Sequence, residues 1–126
     1  MKRLLVTLSL FVVVLGTCIA ETMFLDNTVS SFTEEIENTI QETTNENIEY
    51  ALELSNNIEK KWQEKQAFIS TFIDHNRLEQ IDQSIISMIT NLSNEQIEDF
   101  YVEGEVAKSQ LNHLRDTELP LIQNIL

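Results

Sequence analysis

Chain breakers and crosslinks are scarce here. The 126 residues include two glycines, one proline and one cysteine. So few breakers argue against a strand-and-turn architecture and favour long helices. The single Cys18 lies inside an apolar run, so no disulfide can form in the rest of the chain and the fold must rest on packing. No Gly-rich loop is present to cradle a phosphate, and there is no G-x-S-x-G or H-E-x-x-H pattern. A calcium loop, which alternates Asp or Asn around a central Gly, is missing too.

Positive charge is the other scarcity. Eight Lys and Arg stand against twenty-one Asp and Glu, a formal net charge of −13. Taking Lys2 and Arg3 out of that total leaves −15 for the remainder. From Glu21 to Glu59 there are ten acids and no Lys or Arg. Such a surface repels nucleic acid and anionic lipid alike. A solvated acidic face accounts for it best, with basic protein patches and divalent cations as the other counterparts.

The first twenty residues are the most informative. Behind Lys2 and Arg3, the uncharged run from Leu4 to Ala20 carries Leu4, Leu5, Val6, Leu8, Leu10, Phe11, Val12, Val13, Val14, Leu15, Ile19 and Ala20. Bases ahead of an apolar run, with acids behind it, place the later residues outside the cytoplasm. Three readings of the run stay open. It is at the short end of a transmembrane anchor, which takes about 20 residues. It also fits a signal peptide cut between Ala20 and Glu21, with Cys18 and Ala20 as the small residues at −3 and −1. The third reading is a lipoprotein signal at Leu15-Gly16-Thr17-Cys18, in which Thr17 is a poor residue before a lipidated cysteine. The expected localisation is the cell membrane, single-pass; secretion is the alternative.

The expected domains are residues 1–20 as anchor or signal, 21–32 as linker and 33–126 as an extracytoplasmic helical domain. Asp26 to Ser31 reads as a polar linker, and Ser31 with Glu34 fits a capping box. A stripe through Phe32, Ile36, Ile40, Ile48, Leu52, Ile58, Trp62, Ile69 and Phe72 predicts one long helix over Thr33 to Asp74. Its first half, Glu34 to Glu53, is so polar that it reads as a stalk or as a helix awaiting a partner. Asp74-His75-Asn76 marks a corner. A second helix runs through Leu78, Ile81, Ile85, Met88, Ile89 and Leu92.

Ser93 and Gln96 suggest another capping box, ahead of a third helix through Ile97, Tyr101, Gly104, Ala107, Leu111 and Leu114. Gly104 suggests close approach of a neighbouring helix. Pro120, with Thr117 as a cap, suggests a short last helix whose Leu119, Ile122, Ile125 and Leu126 dock on the bundle. The fold expected is all-α: an apolar N-terminal helix, one long helix, and a small antiparallel three-helix bundle with a short C-terminal helix.

Chemistry-bearing constellations are thin. His75 and Glu79 are four apart, on one helix face, which makes two candidate metal ligands and falls short of a site. A corner histidine bonding a free carbonyl at a helix C-terminus explains His75 better. Trp62, with Phe68 and Phe72, is an aromatic group of core spacing. Lys60, Lys61 and Lys65 flank it; they pair with acids of another helix, or meet lipid head groups if the chain folds back. Carboxylate pairs such as Glu34-Glu35, Glu98-Asp99 and Glu103 with Glu105 read as exposed faces. No catalytic, cofactor-binding or metal-binding residue is expected, and no enzyme.

The stretch from Trp62-Gln63-Glu64-Lys65 through Phe72-Ile73-Asp74-His75-Asn76-Arg77-Leu78-Glu79-Gln80-Ile81-Asp82 resembles domain of unknown function family 4363. The ending Leu121-Ile122-Gln123-Asn124-Ile125-Leu126 is similar to that family's ending. The resemblance implies a small helical protein of Gram-positive bacteria, tethered to the membrane at its N-terminus. It implies no activity and no cofactor. Of the functions left, a tethered protein that binds a protein partner or its own copies ranks first. A secreted or tethered module for a cation or small ligand is the alternative.

Overall fold

A computed structural model describes the backbone of residues 1–125 and the side chains of residues 1–118. Those residues form four helices: α1 (Lys2–Thr44), α2 (Ile48–Ile69), α3 (His75–Ser93) and α4 (Ile97–Ile125). Packing runs in chain order, α1 on α2, α2 on α3 and α3 on α4, and α4 closes the ring against α1. The diagonal pairs do not approach closely. Short turns and ring-order packing make this an up-down-up-down four-helix bundle. The expected all-α class holds; the three-helix layout with a short last helix does not.

Three departures produce that difference. First, the helix predicted over Thr33 to Asp74 breaks at Asn45-Glu46-Asn47. The Asn47 N–H donates to the Glu42 carbonyl (2.9 Å) and the Glu46 N–H to the Thr43 carbonyl (3.1 Å). This is a Schellman turn, which normally carries Gly at the left-handed position; here Glu46 occupies it, at φ 67°. A turn without glycine leaves no breaker in the sequence. The α3–α4 turn is built alike, with Gln96 N–H to Asn91 O (2.8 Å), Glu95 N–H to Leu92 O (3.1 Å), and Glu95 at φ 60°. Ser93 belongs to the last turn of α3 and caps nothing.

Second, residues 21–32 are not a linker. They continue α1 without interruption and bury Leu25, Thr28, Val29 and Phe32, so Ser31 and Glu34 lie in a helix interior and form no capping box. Third, α4 runs through Pro120 to Ile125 instead of ending there. Thr117 is interior as well, its hydroxyl donating to the His113 carbonyl one turn back. The expected docking of Leu119, Ile122, Ile125 and Leu126 lies outside the described side chains.

The core joins Leu25, Phe32, Ile36, Ile58, Trp62 and Ile69 of α1 and α2 to Leu78, Ile81, Ile85, Met88, Leu92, Phe100, Leu111 and Leu114 of α3 and α4. Phe72, Ile89, Ile97 and Tyr101, expected inside, are half-buried at its margin. The polar first half of the predicted long helix is no stalk. Thr39 and Thr43 are buried, as is Ser55 just beyond this half, and each hydroxyl donates to the carbonyl four residues back (Glu35, Thr39 and Ala51) at 2.8–2.9 Å. A hydroxyl satisfied by its own helix can fill a core position without an orphaned group. Gly104 works as expected: a Cβ there would stand 3.1 Å from Ile40 Cδ1 and 3.7 Å from Met88 Sδ, so its absence lets α1 and α4 close together.

Candidate functional site

The first part of α1 is an arm outside the bundle. Its side chains from Leu4 to Val14 are all exposed, Leu4 at 75% and Val14 at 56%. Among the described residues, α1 is the one helix long and apolar enough to cross a membrane. The bundle's buried set begins at Leu25, so the arm and the core share one continuous helix. Ala20 and Glu21, the candidate cleavage pair, lie inside that helix; Leu15 and Cys18 are half-buried.

The bundle has two unlike ends. The proximal end, where the arm emerges, gathers Phe24 of α1, the last turn of α2, the first turn of α3 and α4 near Arg115. Phe24 meets Phe68 edge-on with centroids 4.8 Å apart, and Phe68 meets Phe72 at 5.8 Å. The Lys65 ammonium sits 5.1 Å over the Phe24 ring. Arg77 Nη1 donates to Thr117 Oγ1 (3.0 Å) and to Glu118 Oε1 (3.1 Å), tying α3 to α4, and Arg115 lies 3.6 Å from Asp26.

The distal end holds the two Schellman turns. Each sits within a stretch free of Lys and Arg, Glu21 to Glu59 and Leu78 to Ala107. The antiparallel packing therefore collects Lys60, Lys61, Lys65, Arg77, Lys108 and Arg115 in the proximal half and middle of the bundle. Glu42, Glu46, Glu49, Glu53, Glu95, Glu98, Asp99 and Glu103 remain at or near the far end. Acids occur at both ends, and the distal end differs in having no base among them.

Lys108 stands near the middle. It binds Glu37 of α1 and Glu105 one turn back on α4, the latter at 2.9 Å. Burial alone would lower its pKa; hydrogen bonds to Glu37 and Glu105, with their negative charges, outweigh that and hold it above the ordinary lysine value. Lys61 pairs with Glu35 at 2.5 Å, joining α2 to α1. Of the three lysines around Trp62, Lys61 thus pairs with a carboxylate of another helix, and Lys65 covers an aromatic ring.

Trp62 is core. It is fully buried, edge-on to Phe32 at 5.6 Å and 83°, and its indole N–H has no partner among the described residues. His75 is the first residue of α3 and exposed, at a helix N-terminus and not the C-terminus that the corner reading required. Asp74 caps that helix, accepting from the Asn76 N–H at 3.3 Å. No group of three or more His, Cys, Asp or Glu side chains converges among the described residues. Apolar exposure on the bundle's flank centres on Val102 (58%) and Val106 of α4, in a shallow open depression with Tyr101, Glu105 and Ser109.

The proximal aromatic cluster is partly visible in the sequence as Trp62, Phe68 and Phe72. Its meeting with Phe24 is not, because a helix unbroken at Asn45 would carry Phe68 roughly 65 Å from Phe24 at 1.5 Å per residue. The family model described as Domain of unknown function (DUF4363) matches residues 19–125, which is the bundle without most of the arm. No curated protein and no solved structure matches the chain.

Proposed function

The chain belongs to the DUF4363 family, and from that premise we propose that it is a membrane-tethered, extracytoplasmic, non-catalytic protein that holds a protein partner or a second copy of itself. The observation that carries this reading is the continuity of α1. Nine exposed apolar side chains from Leu4 to Val14 need an apolar surrounding, and the helix that bears them runs straight into the core. Removing that much apolar surface from water is worth several kcal/mol at about 25 cal/mol per Å². Lys2 and Arg3 ahead of the run, and acids behind it, support the outside placement of the bundle.

The non-catalytic part rests on the surface chemistry. Glu34, Glu98, Asp99 and Glu105 stand on exposed helix faces, and His75 is exposed at a helix end. A general acid or base works from a cleft. The partner contact is assigned to α4 around Val102 and Val106, where apolar side chains face solvent. A photo-cross-linker at Val102 in intact membranes should yield an adduct with a protein or with a second copy. A chain that stays monomeric and without adduct would speak against the interaction reading.

The secreted reading keeps one observation in its favour: among the described residues no side chain ahead of Leu25 is fully buried, so a chain cut after Ala20 keeps the fully buried set. Mass and N-terminal sequence of the native protein, after separating membrane from medium, decide between the two. An intact chain in the membrane supports the tether. A chain starting at Glu21 in the medium removes it and favours a secreted binding module.

A further inference from the structure

Phe68 is 52% exposed, yet it is not a loose surface ring. Phe24 holds it from one side and Phe72 from another, both edge-on. Its place is set by Phe24, which lies four residues beyond Ala20 on the same unbroken helix, about 6 Å farther along the axis. The antiparallel course of α2 then carries Phe72 and the turn up to Asp74 farther toward the arm than Phe68. An aromatic at this height falls in the boundary between acyl chains and head groups, about 5–10 Å deep, if the arm fills the hydrocarbon. Lys65 lies one turn above Phe68, its ammonium over the Phe24 ring. A long basic side chain packed against an apolar ring is a usual arrangement at that boundary.

Electrostatics argue against an anionic lipid as the origin of the contact. Arg77 and Arg115 are paired within the bundle, and Glu21, Asp74 and Asp116 share this end. The contact is therefore apolar in origin. Resting on the tethered reading, we infer that Phe68, braced by Phe24 and Phe72, is an interfacial foot. It inserts into the surface of the membrane that α1 enters, and the lipid surface, not a protein, covers this end of the bundle.

The test uses the full chain reconstituted in phosphatidylcholine vesicles, with Trp62→Phe to remove the native indole and Phe68→Trp as reporter. A second protein carries Trp62→Phe and Tyr50→Trp at the distal end, where Tyr50 is 50% exposed. The Phe68→Trp signal should lie to the blue of the Tyr50→Trp signal. Lipids brominated near the glycerol should quench it, and it should hold in high salt. Because Trp62→Phe touches the core, the same pair is also made with Trp62 in place and the parent spectrum subtracted.

Emission from Phe68→Trp that matches Tyr50→Trp and yields to an aqueous quencher, in protein that floats with the vesicles, overturns the foot and leaves the tether standing. Protein that does not float overturns the tether and the foot with it. Blue emission insensitive to brominated lipid, together with a cross-link to protein at this position, assigns the surface to a protein partner and also overturns the inference.

Discussion

Glu46 and Glu95 share one left-handed backbone conformation, φ 67° and 60°, in two turns of identical hydrogen bonding at the same end of the bundle. Each comes directly after an asparagine that ends a helix. A side chain in that region costs about 1–2 kcal/mol, which glycine escapes. Glu46→Gly and Glu95→Gly should therefore each stabilise the bundle by about 1 kcal/mol, less the extra freedom of glycine in the unfolded chain. Chemical unfolding of the full chain in detergent reads this. A loss of stability in either variant would mean that the glutamate makes a contact worth more than its strain.

Gly104 is fitted against Ile40. Alanine gains about 1 kcal/mol of helix propensity but must move Ile40 Cδ1 by a few tenths of an ångström. Ile40 is half-buried and its methyl end is free to turn, so Gly104→Ala should change stability by less than about 0.5 kcal/mol. Gly104→Leu cannot be absorbed this way and should cost about 1–3 kcal/mol by overpacking α1 against α4. Equal unfolding midpoints for the leucine variant and wild type would show that the helices are not in close contact there.

Trp62 is enclosed, and its indole N–H has no partner among the described residues. Trp62→Ala should cost about 3–5 kcal/mol. Trp62→Phe keeps most of the ring against Phe32 and removes the unpartnered donor, whose burial costs about 1–3 kcal/mol, so its net penalty should be far smaller. Thermal melts of the two variants, run side by side, measure the difference. Equal losses would point to a hydrogen-bond partner for the indole.

Lys108 links α4 to α1 with a pKa above the ordinary value. Its contribution to stability is full below the unfolded lysine pKa of about 10.4 and fades as pH rises through the higher folded value. Lys108→Met should thus melt below wild type at neutral pH, and the two curves should converge in strong base. A gap that persists there would assign the loss to packing of the lysine stem, not to its charge.

The helical class, α3 and much of the core can be read from spacing alone, because Ile58, Trp62, Leu78, Ile81, Ile85, Leu111 and Leu114 repeat at three and four. Two things hide the fourth helix. The α1–α2 turn uses Asn45-Glu46-Asn47 with no glycine, so backbone strain stands where a sequence signal usually does. Thr39, Thr43 and Ser55 fill the core as back-bonded hydroxyls, so a buried segment looks like a solvated one. On α4 the expected face is one residue off at its start: Phe100, not Tyr101, leads the row through Gly104, Ala107, Leu111 and Leu114. The proximal aromatic end depends on the glycine-free turn and cannot be placed without it. His75 is a corner residue as expected, but at the opposite pole of a helix.

If α1 spans the bilayer as proposed, its continuity also makes the bundle a lever. About 24 residues of it, some 36 Å, stand in the bundle beyond the arm. A transmembrane tilt of about 20° would swing the acidic tip sideways by about 12 Å with no hinge to absorb the motion. A partner gripping that tip would feel bilayer thickness as displacement.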